Sequence, residues 1–117
     1  TLHPVLTDCG LTHGAKRLFH HPPPLAFSMA NMLPPGYFDL ATMDTLRTHG
    51  LSFFFELHPD RDNMRTYDAM LATVHRIRTA LGGEFRDEKR NAFTVQTAEH
   101  GRARIREFAR RQLTRHE

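Results

Sequence analysis

The residues of this chain that could do chemistry are nine histidines, one cysteine (Cys9) and the closely spaced carboxylates Asp60 and Asp62. A metal site needs ligands that converge, such as two histidines at i and i+4 on a helix or a cysteine pair. His20 and His21 are adjacent, so in a strand they point to opposite faces. No histidine pair has the helical spacing, and there is no second cysteine. Nucleophilic catalysis needs a nucleophile, a base and a group that orients the base. Cys9 reads instead as a small buried apolar residue, and Asp60, Asp62 and Asn63 read as N-cap chemistry. Gly82-Gly83 follows a helix rather than opening one, so it is not a phosphate loop. Neither catalysis nor a metal or other cofactor is expected.

A surface remains as the place to look for function. The stretch from Leu25 to Leu33, closed by Pro34-Pro35-Gly36, reads as a strand with two unusual faces. Alternation puts Phe27, Met29, Asn31 and Leu33 on one face and Ala26, Ser28, Ala30 and Met32 on the other. A strand with one wet face should carry charge there. The second face here is small or flexible and uncharged, so a cover is expected, from the chain itself or from a partner.

The elements that would position this strand follow from spacing. Leu2, Val5, Leu6 and Cys9 suit one side of a short helix capped by Gly10. Residues 15–21 suggest a strand ended by Pro22-Pro23-Pro24. Residues 37–50 look irregular, with one helical turn around 40–46. Leu51 to Leu57, with Phe53-Phe54-Phe55 at its centre, predicts a strand. Met64, Tyr67, Met70, Leu71, Val74, Ile77 and Leu81 share one side of a helix that Gly82-Gly83 stops. Residues 84–86 form a short strand, Asp87 to Asn91 a charged turn, and Ala92-Phe93 resume extended structure. Thr94 caps a last helix whose buried side is Val95, Ala98, Ile105, Phe108, Ala109 and Leu113. Gly101 inside that helix predicts close approach to another backbone, since glycine there costs about 1 kcal/mol against alanine.

A chain of 117 residues supports one domain, and 39% hydrophobic content with nine Phe argues for a folded globule. One cysteine points to a reducing compartment. No run approaches a membrane span and no signal peptide is visible. The first residue is Thr, which is consistent with a fragment. The formal charge of +3 is carried by residues 94–117, with six Arg against three acids. That is a basic helix, read first as a solvated face and second as a nucleic-acid or lipid patch. An RNA-binding split β-α-β module is the rival reading, because strands alternate with helices. Phe53-Phe54-Phe55 lacks the flanking Gly and Arg of that module's signature.

The string Phe27-Ser28-Met29-Ala30-Asn31-Met32, then Pro35-Gly36 and Phe38-Asp39, resembles the C-terminal FtsZ-binding domain of the ZipA family of bacterial cell-division proteins. The likeness continues through the strand 51–57, the helix 64–81 with Gly82-Gly83, the turn Asp87-Glu88-Lys89-Arg90 and Thr94-x-Gln96. It covers nearly the whole chain, with one small indel near 40–50 and a shortened turn at Pro22–Pro24. The resemblance implies an α+β, split β-α-β fold: an antiparallel sheet with helices on one face and a shallow apolar groove on the other. It implies a non-enzymatic adaptor whose groove binds the C-terminal tail of FtsZ, docked partly as extended chain and partly as helix. Nucleic acid is not an expected partner. An N-terminal anchor and linker outside this fragment would tether FtsZ to the cytoplasmic face of the inner membrane. An opening strand that the family places before the first helix is missing from this chain, which is therefore read as N-terminally truncated.

The groove positions implied by the resemblance are Lys16, Leu18, Ala30, Met32, Ser52, Phe54 and Arg90. Alternation agrees for the central ones. Phe53, Phe55 and Leu57 share one face with Ser52, Phe54 and Glu56 on the other. Lys16, Leu18 and His20 lie opposite Arg17 and Phe19. Small Ser28 and Ala30 leave a trough walled by Phe54 and Met32, and methionine adapts to varied ligand side chains. Lys16 and Arg90 would suit a peptide that also carries acidic residues. Full burial of Phe54 or Met32 would contribute roughly 1.5–3 kcal/mol each. Lys16 stands where a relative has methionine and Pro34 where it has lysine, so the groove's edges differ from the family pattern.

Overall fold

The first helix, α1 (Leu2–Asp8), buries Leu2 and Leu6 and ends where the expected glycine stands. Gly10 takes a positive φ of 84° and donates its N–H to the Thr7 carbonyl, a left-handed stop that glycine adopts at little cost. A computed structural model describes residues 2–32, 34, 36–45, 50–87 and 89–115. The expectations for Leu33, Pro35 and Glu88, and for the side chain of Leu113, fall outside what is described.

Four antiparallel strands follow in the order β1 (Thr12–His13), β2 (Phe19–His20), β3 (Ser28–Asn31) and β4 (Leu51–Phe54), each paired to its neighbour in sequence. With three helices, this is an α+β fold. β3 and β4 pair Ser28 with Phe54, Met29 with Phe53, Ala30 with Ser52 and Asn31 with Leu51. β2 pairs Phe19 with Met29 and His20 with Ser28.

The expected strand over 15–21 is corrected. Only Phe19 and His20 are strand, and residues Ala15–Arg17 form a 3-10 turn in which Lys16 and Arg17 both have positive φ. The reason is β1, which sequence reading missed. Thr12-His13 pairs back onto Phe19-His20, so the chain must reverse between His13 and Phe19. A reversal of five residues leaves no room for an extended Lys16.

The core lies on one side of the sheet. Phe19, Phe27, Met29 and Phe38 are fully buried and cluster with Leu2, Leu6, Cys9, Leu11, Met43 and Ile77. Phe53 and Phe55 pack against that cluster. Helix α2 (Asn63–Leu81) is capped as expected: the Asp62 carboxylate accepts the Arg65 N–H at 3.0 Å. Asn63 ties the preceding loop by donating to the His58 carbonyl and accepting the His58 N–H. Gly82, with φ 81°, ends the helix by donating to the Arg78 carbonyl. In these elements Leu81 and Leu57, both expected inside, are 41% and 37% exposed. Both sit past the packed part of their element, because β4 ends at Phe54 and α2 at Leu81.

The segment after α2 makes a small hairpin with a bridge between Arg86 and Ala92. The Phe85 and Phe93 rings stack inside it, 4.0 Å apart. Asp87 accepts the Lys89 and Asn91 N–H groups and so holds the turn. Helix α3 (Val95–Arg115) starts at Thr94, whose hydroxyl accepts the Thr97 N–H while Thr97 accepts the Thr94 N–H. Ile105 is buried as expected, but Val95, the first residue of the helix, is 86% exposed and Ala109 is exposed as well. Gly101 does mark a close approach, to a side chain and not to a backbone. A Cβ there would lie 2.1 Å from the Tyr67 hydroxyl, which donates to the Ala98 carbonyl at 3.2 Å. Burial pushes the Tyr67 phenol above its ordinary pKa, partly offset by Arg102.

Candidate functional site

The face of the sheet opposite the core is built from the alternate residues of β3 and β4. Ser28 and Ala30 are half-buried and Ser52 is exposed. Phe54 stands directly across from Ser28 and is 44% exposed. Met32 continues the β3 pairing by donating its N–H to the Gly50 carbonyl at 3.0 Å, and its side chain is 57% exposed. The small residues Ala30 and Ser52 are paired across the strands. Between Phe54 at one end and Met32 at the other, they leave a shallow apolar trough whose floor has little side-chain height.

Gly50 belongs to this site and was not foreseen. A Cβ at Gly50 would meet the Met32 sulfur at 2.7 Å and two further Met32 carbons at 3.4 Å. The glycine lets the methionine lie over its backbone. The signal in the sequence is the register itself: once Ala30 faces Ser52, residue 50 must face residue 32.

The remaining expected positions are spread differently. Leu18 is half-buried in extended backbone just before β2. Lys16 is exposed on the 15–17 turn, with φ 59° and ψ 19°, so it reaches the sheet's rim from a turn and not from a strand face. Arg17 in the same turn lies over the Tyr37 ring, 5.0 Å from its centroid, and its carbonyl accepts the Phe38 N–H. Arg90 is exposed at the tip of the 86–92 hairpin with φ 65°. Among the described residues, no strand pairing joins that hairpin to the four-stranded sheet. The structure therefore brings Ser28, Ala30, Met32, Ser52 and Phe54 together, places Lys16 and Leu18 in the turn and extended residue that lead into β2, and carries Arg90 on the hairpin bridged by Arg86 and Ala92.

The chain matches the family described as "ZipA, C-terminal FtsZ-binding domain" over residues 1–104. It belongs to that family. Proteins named cell division protein ZipA are similar to it: 41% identity over 115 residues in Ectopseudomonas mendocina, covering 93% of this chain and 42% of that protein. The figures for Azotobacter vinelandii are 41% identity, 93% and 40%, and for Stutzerimonas stutzeri 39%, 93% and 42%. The chain thus spans about two-fifths of the length of these ZipA relatives. Among its described residues no helix is long and apolar enough to cross a membrane.

In this ZipA-type domain the trough is lined by Phe54, Met32 and Ala30 and by the hydroxyl-bearing Ser28 and Ser52. Exposed Phe54 and Met32 offer apolar area, and backbone and hydroxyl groups beside them offer a few polar contacts. His20 and Ser28 do touch, with Nδ1 2.7 Å from Oγ, a separation that a base and a nucleophile would share. The far side of the ring faces the Ala15 carbonyl at 2.7 Å. A neutral carbonyl cannot offset an imidazolium charge as a carboxylate does.

Proposed function

We propose that the open sheet face binds the C-terminal tail of FtsZ, and that the domain is a non-enzymatic adaptor. Through parts of the full-length protein outside this chain, it would tether FtsZ to the cytoplasmic face of the inner membrane. The observation that carries the reading is the pairing of two exposed apolar side chains, Phe54 and Met32, with a floor of Ala30 and Ser52 between them. The family's description as FtsZ-binding supports the choice of partner.

Phe54 and Met32 already have about half their surface covered. A ligand can bury only the remainder, about half of the 1.5–3 kcal/mol available to a fully exposed side chain. Titration of a synthetic FtsZ tail peptide should therefore show each of Phe54→Ala and Met32→Ala weakening binding about four- to twelvefold. Both variants should keep a wild-type circular dichroism spectrum. Unchanged affinity in the two variants would remove the groove from this face.

No observation favours the RNA-binding alternative. The arginines whose partners are described on α3 are engaged by carboxylates of the chain itself, including Arg102 with Asp68 and Arg106 with Glu99.

A further inference from the structure

His20 occupies the row of residues that crosses the open face, paired with Thr12 on one side and Ser28 on the other. Both of its ring nitrogens are engaged. Nδ1 lies 2.7 Å from the Ser28 hydroxyl and Nε2 2.7 Å from the Ala15 carbonyl oxygen. A carbonyl can only accept, so Nε2 carries the proton. In the neutral ring Nδ1 is then an acceptor, and the Ser28 hydroxyl donates to it. The proton of Ser28 is thereby committed inside the protein, and only oxygen lone pairs remain for anything that lies in the trough.

The same ring holds the groove's rim. The Ala15 carbonyl that accepts from His20 also accepts the Leu18 N–H at 3.3 Å. It closes the turn in which Lys16 and Arg17 both adopt left-handed backbone, a conformation that side chains other than glycine take only at a cost. Beside the turn's own backbone hydrogen bonds, His20 supplies a side-chain partner from the strand.

We propose that His20 is a positioning residue of the groove. It fixes Ser28 as a hydrogen-bond acceptor toward the bound peptide and pins the Lys16 turn at the rim, so the groove selects a ligand N–H at the level of Ser28. This rests on the reading of the open face as a peptide groove. Asparagine and glutamine separate the two tasks, because their amides reach about as far as Nδ1 and Nε2 respectively. His20→Asn retains an acceptor for Ser28 and loses the link to Ala15. His20→Gln retains a donor for Ala15 and frees the Ser28 hydroxyl.

The test begins with the free chain. Long-range ¹H–¹⁵N spectra above neutral pH should show His20 protonated at Nε2, and Ser28→Ala should shift its Nδ1 resonance. In titrations with the FtsZ tail peptide, His20→Gln and Ser28→Ala should each weaken binding about three- to tenfold. The double variant should lose no more than either alone, the sign that one acts through the other. His20→Asn should keep affinity within about twofold while moving the amide signals of Lys16 and Arg17. An Nδ1–H tautomer, or losses that add, with wild-type binding intact, would overturn this inference alone. Failure of the wild-type chain to bind the peptide would overturn the groove reading and this inference with it.

Discussion

The open face of the sheet and the outer face of the α2–α3 pair are both exposed, and they treat their side chains in opposite ways. On the sheet, Phe54 and Met32 stand in solvent with apolar area uncovered. On the helices, the charged groups find each other. Arg102 meets Asp68 and Glu99, Arg106 meets Glu99, and Arg110 and Arg111 meet Glu107. A surface whose charges are mutually engaged has little left to offer an anionic partner. A surface whose apolar groups are unsatisfied gains by being covered. Arginines of the last helix, which composition alone left open to a nucleic-acid reading, thus share carboxylate partners on the chain itself.

The hardest way to break this comparison uses one strand and one residue type. Met29 and Met32 lie on opposite sides of the sheet, the first fully buried against Phe19 and Phe27 and the second more than half exposed. Met29→Ala should lower stability by about 2–5 kcal/mol, because it leaves a cavity that the packed rings cannot fill. Met32→Ala should cost less than about 1 kcal/mol. Urea unfolding of both variants measures the difference. Equal losses would mean that the trough is folded core and not a docking surface.

Much of this division was legible because alternation is strict. Once Phe27 and Met29 face inward, Ser28, Ala30 and Met32 face outward, and the same rule splits Phe53 from Phe54. The cap at Asp62 and the stop at Gly82 were legible because their chemistry is local. The failures share a physical reason. Periodicity reports what a residue would prefer, not whether anything lies over it. Val95, Leu57 and Leu81 fit their stripes, yet they sit at or past the ends of their elements and are left exposed, and Ala109 is exposed within α3. Lys16 was misplaced because β1 is two residues long and carries no pattern to detect, and the reversal it forces dictates the turn. His20 was weighed as a metal ligand, and its actual partners, Ser28 and the Ala15 carbonyl, are set by strand register. Among the implied groove positions, Arg90 gains no support from the strand pairing, because it sits on a separate hairpin.

The helix pair can be broken where Gly101 meets Tyr67. Alanine at Gly101 should favour the helix by about 1 kcal/mol. Its Cβ would meet the Tyr67 hydroxyl and the adjoining ring carbon at 2.1 and 2.5 Å, and overpacking of this kind costs about 1–3 kcal/mol. Gly101→Ala should therefore destabilise the chain by up to about 2 kcal/mol net. In a Tyr67→Ala background the clash is gone, and the same substitution should stabilise by about 1 kcal/mol. A sign that does not reverse between the two unfolding series would show that Gly101 is not there for Tyr67. Peptide affinity should stay at the wild-type value in Gly101→Ala, since the contact lies between the helices and not on the open face.

The smallest effect concerns the paired charges themselves. A hydrogen bond from Arg106 holds the Glu99 carboxyl below its usual 4.5, and one from Arg110 does the same for Glu107. A depressed folded-state pKa contributes stability that is present above the unfolded value and is lost as pH falls through the folded one. The contribution of these pairs to α3 should therefore fade only below about pH 4.5. Both carboxylates are exposed, so solvent and salt screen them and the loss should be small. Carbon-detected titration should place both midpoints below 4.5 at low ionic strength and move them toward it as salt is added. Glu99→Gln with Glu107→Gln should abolish the depression without changing affinity for the FtsZ tail peptide. If the double variant instead weakened peptide binding, the charged helix face and the apolar sheet face would be one interface, and the separation between them would have to be abandoned.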